Sequence, residues 1–213
     1  EISGDIVSDF WFKTMPATKA IFEPMPESVG AGLKLGLSRL MAFDENAGML
    51  YLGHIAEQEA AYTNDSADRI ISIDVNTGNR NVVSTRSQAL PGSLDIVTDI
   101  VAVDNANNRL IGEKFDGIES RLIAINKSTG VRSVLASSEV GTGGISNLWG
   151  VFHVDLENQK AFFAQNENGI NGVAVIDLTN GNRSIISKWD GSVGSGNILN
   201  GSMGRVTYDA SRN

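Results

Sequence analysis

The sequence predicts an all-β chain folded as a β-propeller of four-stranded antiparallel blades. Three observations carry this expectation. A strand–turn–strand unit recurs three times, a second such unit precedes each copy, and no stretch carries helical periodicity. The recurring hairpins are "RIISIDVNTGNRNVVST" at 69–85, "RLIAINKSTGVRSVLAS" at 121–137 and "GVAVIDLTNGNRSIISK" at 172–188. Apolar residues alternate in strand period, as at Ile71, Ile73 and Val82. Gly78, Gly130 and Gly181 fit turn positions of positive φ, and Asp74, Asn126 and Asp177 can bond the turn's own backbone.

The preceding units are "SRLMAFDENAGMLYLG" at 38–53, "DIVAVDNANNRLIGE" at 99–113 and "GVFHVDLENQKAFFA" at 150–164. Each also reads as strand, turn, strand. Four short strands per repeat cannot bury their own apolar faces, so stacking blade on blade is the arrangement that hides them. We label the strands of a blade a to d, outward from the axis.

The chain is expected to form one incomplete domain over 1–213, with repeats at about 9–26, 37–85, 97–137, 149–188 and 204–213. That is half a blade, three whole blades and one strand. "DFWFKTMPATKAIFEP" at 9–24 fits the outer hairpin of an earlier blade, and "GRVTYDASRN" at 204–213 fits the inner strand of a later one. An open ring exposes two unpaired edges. The expected partners therefore include the remaining blades, from the same or another chain.

Composition sets the function classes. The chain has 213 residues, 41% apolar, with 17 Lys and Arg against 25 Asp and Glu, for a net charge of −8. Such a field repels phosphate backbones, so nucleic acid is not an expected partner. No cysteine occurs, which removes disulfides, thiolate metal sites and cysteine nucleophiles. No run reaches the apolar length of a membrane span, and no signal peptide is visible.

Antiparallel strands alternate direction, so a–b and c–d turns are expected on one face, and b–c loops with d–a crossovers on the other. The first set is short and uniform. The b–c loops "HIAEQEAAYTNDSAD" at 54–68, "KFDGIES" at 114–120 and "QNENGING" at 165–172 differ in length and charge. Variation on a rigid frame is where binding resides. The crossovers carry a third repeat, Val-Gly-x-Gly, in "ESVGAGLKLG" at 27–36, "SEVGTGGISN" at 138–147 and "GSVGSGNILN" at 191–200. Free N–H groups in such turns can seat an anion or a carbonyl. The plainer reading is that glycine lets the chain cross from an outer to an inner strand, since no helix follows as in a phosphate loop.

Stretches such as "RSVLASSEVGTGGISNLWGVFHVDLENQKAFFAQ" and "GVAVIDLTNGNRSIISK" resemble bacterial β-propeller repeats related to the NHL-repeat and gluconolactonase-like groups. The shared pattern is Asp, Thr-Gly, Arg and Val-Ser, then a glycine-rich crossover, and the resemblance spans most of 9–213. It implies six to eight blades, an extracytoplasmic location (periplasmic, cell-surface or secreted), and either a binding role or metal-assisted hydrolase or lyase chemistry.

A lactonase-like site needs carboxylate, amide and histidine groups converging at the mouth of the central channel. The chain offers Asp99, Asn147, His153 and Arg39 on or beside inner strands, with Trp149 at the start of one. Asp99 has Arg39, Gly150 and Gly204 as counterparts, and His153 has Ala42, Ala102 and Thr207, so each is singular. Each also has a plain reading: a packed or solvated histidine, and a carboxylate bonding the neighbouring blade's backbone. His54, beside Glu57 and Glu59, is the other histidine, and two histidines without cysteine argue against a standard zinc site. "GSVGSGN" misses the serine-nucleophile elbow, and "DVNTGN" and "DLTNGN" lack the acids of a full calcium loop. Trp149 and Trp189 can offer flat surfaces to a sugar or peptide, Trp11 falls in an outer hairpin, and the plainer duty of all three is packing between blades. The sequons at Asn64, Asn126, Asn182 and Asn200 matter only in a host that glycosylates exported proteins.

The leading expectation is a non-enzymatic binding or scaffold module with a protein or carbohydrate ligand and no cofactor. The alternative is a metal-dependent lactonase-like hydrolase or lyase using a divalent cation such as calcium.

Overall fold

The structure, a computed structural model, describes residues 30–32, 40–55, 68–88, 99–115, 120–143, 148–167 and 170–194. Three four-stranded antiparallel sheets follow one another along the chain. The first runs β1 (Met41–Asp44), β2 (Met49–Ile55), β3 (Asp68–Asp74) and β4 (Arg80–Thr85). The second comprises β5 (Asp99–Asp104), β6 (Arg109–Phe115), β7 (Ser120–Asn126) and β8 (Arg132–Ala136). The third comprises β9 (Leu148–Asp155), β10 (Lys160–Glu167), β11 (Ile170–Asp177) and β12 (Arg183–Lys188). The only helical element among the described residues is a 3-10 turn at Arg86–Gln88. Strand order follows chain order in every sheet, so each is one blade of the propeller. The half blade expected at 9–26 and the strand at 204–213 lie outside the described residues.

The inner strands are neighbours: β1 lies beside β5, and β5 beside β9. Between the first two blades, Tyr51, Ile70, Ile100, Leu110, Ile123 and Ile125 form one buried cluster. Between the second and third, Ile111, Leu122, Ala161, Phe163, Ile176 and Leu178 belong to another. The middle blade shows how period-2 alternation serves both interfaces. Leu110 and Ile123 face the first blade, and their neighbours Ile111 and Leu122 face the third. A sheet that is apolar on both faces is stable only when sandwiched.

Each outer hairpin carries a bulge at the same place. Ile70 pairs with Ser84 and Ile71 with Val82, leaving Val83 as the extra residue. Leu135 is extra in the second blade and Ile186 in the third. A bulge increases the local twist and turns a carbonyl out of the ladder. The next blade's turn glycine packs on that carbonyl: a Cβ on Gly130 would stand 2.4 Å from Val83 O, and one on Gly181 2.4 Å from Leu135 O. Both glycines have positive φ, +71° and +77°. The turn thus needs glycine twice over, for its backbone conformation and for the approach of the neighbouring blade. Buried Ser84 completes the contact between the first two blades, donating to Gly130 O (2.6 Å) and accepting from Arg132 Nε (2.8 Å).

The described parts of the first two Val-Gly-x-Gly crossovers do not sit apart on the loop face as the strand-direction argument expects, but dock on the outer edge of the following blade, beside its c–d turn. In the third, Val193 O accepts from Lys188 N–H of its own blade (2.9 Å). Arg80 N–H donates to Ala31 O (2.8 Å), and Arg183 N–H to Thr142 O (2.8 Å). Ala31 N–H donates to Asn79 Oδ1 (2.8 Å), and Thr142 N–H to Asn182 Oδ1 (2.9 Å). One N–H of each of these two turns is thus used inside the fold. Twist in the outer strands explains the displacement, since it carries the end of one blade's outer strand to the turn of the next. Between the first and second blades no Val-Gly-x-Gly occurs, and Gln88 bridges instead, accepting from Thr85 N–H (2.8 Å) and donating to Thr129 O (2.6 Å).

Gly130 and Gly191 separate conformation from packing. Gly191 has φ +75° with nothing within 4 Å of an added Cβ, so Gly191→Ala is expected to cost about 1 kcal/mol from the left-handed backbone alone. Gly130→Ala is expected to cost about 2–4 kcal/mol, because the Val83 carbonyl must also move. Denaturant midpoints measure both, and equal losses would refute the inter-blade contact.

Candidate functional site

Two groups of polar residues surround the inner strands. The first is at the loop end. Asp99 opens β5, is 8% exposed, and accepts a hydrogen bond from Leu40 N–H (3.0 Å). Ile100 N–H donates to Leu40 O (3.4 Å), so this carboxylate helps to tie the second blade's inner strand to the first blade. In register, Asp99 lies opposite Glu113, which is also buried. Directly opposed residues share a face of the sheet. The loop end of the second blade thus holds two buried carboxylates, and sequence reasoning named only one. Glu113 is signalled by its counterparts: four residues after the turn-closing pair, the other blades have Gly53 and Ala164.

His153 is on another level. It pairs with Phe162, two residues after the turn-closing Lys160, whereas Asp99 pairs with Glu113, four after Arg109, an offset of two positions or about 7 Å along a strand. Its ring packs tilted on Phe162, with centroids 6.3 Å apart and planes at 41°. Arg39 and Asn147 lie outside the described residues, as does Trp11. Trp149 is in β9 opposite Ala164, and His54 is in β2 opposite Arg69. Trp189 follows β12, and its backbone N–H donates to Asn171 O (3.0 Å). Among the described residues, no three His, Asp or Glu gather as a metal centre would require. The oxygens of Asp74 and Asp177 cap their own turns, accepting from Asn76 N–H (2.8 Å) and Thr179 N–H (2.8 Å) respectively.

The second group forms a polar belt at the a–b turns. Asp44, Asp104 and Asp155 each end an inner strand and cap the following turn through the N–H of Ala47, Asn107 and Asn158. The residue before the next strand has positive φ in all three turns: Gly48, Asn108 and Gln159. Its carbonyl accepts from the first residue of the same blade's c–d turn, Val75, Lys127 or Leu178, at 2.8–3.0 Å. The two turns of a blade therefore form one unit. Across blades, Arg109 bridges Asp104 Oδ2 (2.8 Å) and Gln159 Oε1 (2.7 Å). Asp44 receives Asn105 Nδ2 (3.0 Å) and Lys127 Nζ (3.0 Å) from the second blade.

These contacts set the charge states. Burial opposes ionisation of Asp104, but hydrogen bonds from Asn107 and Arg109, with the guanidinium charge, outweigh it and hold the carboxyl below its ordinary range. Asp44 is lowered in the same way, with burial overcome by Asn105, Lys127 and the Ala47 N–H. Asp155 is lowered chiefly by Asn158, and Asp177 by Thr179. The belt is a set of ionised, internally satisfied carboxylates. Such groups hold turns together through charge-assisted hydrogen bonds.

No family model matches the chain, and no curated protein matches it. Among solved structures, the chain is similar to one in the nidogen/laminin complex, with 15% identity over 70% of this chain and 47% of that one, at a TM-score of 0.47. It is similar to the putative TolB from Agrobacterium tumefaciens, with 10% identity over 73% and 51% and a TM-score of 0.49. The corresponding values for oligogalacturonate lyase in complex with manganese are 12%, 70%, 39% and 0.47. The chain thus spans about half the length of these structures, or less. At such identities and scores they carry no argument about activity, and the fold stands on the chain's own sheets.

The belt predicts acid lability. A carboxyl whose folded pKa is depressed contributes stability that is present above its unfolded pKa, about 3.9, and is lost as pH falls through the lower folded value. Asp104→Asn is expected to lose about 1–2 kcal/mol at pH 7 and to show a shallower stability loss below pH ~4 than the parent. Urea unfolding across that range measures both, and parallel profiles would show that Asp104 contributes nothing through its charge.

Proposed function

We propose that the chain is part of an extracytoplasmic binding or scaffold propeller that engages a protein or carbohydrate through its b–c connections. The observation that carries this reading is the asymmetry between the two ends of the blades. At the turn end, near-identical turns spend their polar groups on one another and on neighbouring blades. At the other end, β2–β3, β6–β7 and β10–β11 are joined through 56–67, 116–119 and 168–169, which differ in length and composition. A saturated end has little to offer a ligand, whereas unequal loops on a rigid frame make a surface that can differ without disturbing the core. The extracytoplasmic location rests on the resemblance to exported propeller repeats.

A second reading, a lactonase-like hydrolase or lyase, is favoured by one observation, the buried Asp99–Glu113 pair at the loop end of inner strands. Two carboxylates there suit a divalent cation, with the remaining ligands supplied from elsewhere.

One experiment separates the readings. The protein is assayed for gluconolactone hydrolysis with added calcium or manganese, and in parallel on defined glycan and peptide arrays. The binding reading expects no metal-dependent turnover, and array binding that disappears when 56–67 is replaced by a short Gly-Ser turn while Asn76→Ala leaves it intact. Metal-dependent turnover that is lost in Asp99→Ala and His153→Ala, or array binding that survives the loop replacement, overturns it.

A further inference from the structure

At one place in the turn belt a nucleophile, an amide and a carboxylate converge. Lys127 Nζ contacts the side-chain oxygen of Asn105. Asp44 reaches both: its Oδ2 lies 3.0 Å from Lys127 Nζ, and its Oδ1 lies 3.0 Å from Asn105 Nδ2. The Asp44 side chain is 1% exposed and that of Lys127 is 17% exposed, while Asn105 lies on the exposed side of the cluster. The two positions adjoin because the a–b and c–d turns of a blade are bonded together, here by Lys127 N–H donating to Asn108 O (3.0 Å).

The sibling blades show that the set is singular. In the third blade the same two positions are Leu156 and Leu178, which belong to one apolar cluster. In the first blade they are Glu45 and Val75, both exposed. Only the second blade places an amine on an amide. Only there does a buried carboxylate from the preceding blade bridge the two.

We propose that Lys127 and Asn105 join in an intramolecular isopeptide bond, with Asp44 carrying the protons. Asp44 takes a proton from the ammonium, and the freed Nζ attacks Asn105 Cγ. The Nζ–Cγ bond forms and the Cγ–Nδ2 bond breaks. Protonation of Nδ2 through the Asp44 carboxyl lets it leave as ammonia, which departs with the remaining proton as ammonium. In sum, Lys–NH3+ and the Asn side-chain amide become Lys–NH–CO–Asn and NH4+. Charge balances, no oxidant or reductant is needed, and Asp44 ends as it began. Two features supply the rate: proximity makes the attack unimolecular, and Asp44 touches both the nucleophile and the leaving group, as a shuttling acid–base group must.

Intact-mass measurement of the purified, folded protein after incubation at neutral pH tests this. The expected mass is below that of the sequence by one ammonia, about 17 Da, and proteolysis is expected to yield a branched peptide joining Asn105 to Lys127. Lys127→Arg is expected to show the full sequence mass with an unchanged β-sheet circular dichroism spectrum, and Asp44→Asn likewise. A wild-type protein of full mass overturns the proposal. So does a deficit that persists in Lys127→Arg, which would place the ammonia loss at another site such as an Asn-Gly pair. Where Asp44→Asn does not fold, Lys127→Arg and the branched peptide decide alone; a folded Asp44→Asn that still lacks the ammonia removes Asp44 as the proton carrier.

Discussion

The rest of the structure depends on the close approach of each c–d turn to the bulged residue of the preceding blade's outer strand. An edge strand turns alternate carbonyls outward, and a bulge changes which of them point out. With one, Val83 and Leu135 turn a carbonyl towards Gly130 and Gly181. That contact fixes how one sheet is placed on the next, and the apolar clusters fill the space it defines. Hydrophobic burial is non-directional and does not choose between sliding positions of two flat apolar faces. The glycine–carbonyl contact and the Arg132–Ser84 bond beside it have fixed geometry, so they select the register that burial then stabilises.

Much of the fold was legible because its signals are local and repeated. Alternation at Ile71 and Ile73, the Asp or Asn opening each turn and the glycine closing it are properties of single hairpins, and three copies removed the ambiguity that one short strand carries. The position of the Val-Gly-x-Gly crossovers was not legible. Strand direction puts a connection at one end of a blade, but the end swings with the twist that the bulge adds, and a bulge leaves no mark in a pattern such as Arg80 to Thr85. Gln88 standing in for the missing glycine segment was equally hidden, since only the contact with Thr129 shows what it replaces.

The candidate site was legible in part and for the opposite reason. Asp99 and His153 stand out because sibling blades lack them, but singularity does not say where a side chain points. The structure separates the two along the strand, sets the imidazole on Phe162 and ties Asp99 to Leu40. Glu113 escaped notice because it sits in a run of ordinary strand residues, and only its pairing with Asp99 brings it forward. Lys127, Asn105 and Asp44 come from three different turns, and no spacing rule links residues that meet only when two blades stack.

Because Ala31 and Thr142 seal the rim of the blade that comes after them, ribosomal synthesis makes each cover before the sheet it protects. Shortening from the carboxyl side removes whole sheets and leaves earlier rims sealed. Shortening from the amino side strips the seal from a sheet that is otherwise intact. A sheet and its seal together therefore run from within a crossover, as at Val140, to the end of the following outer strand, as at Lys188.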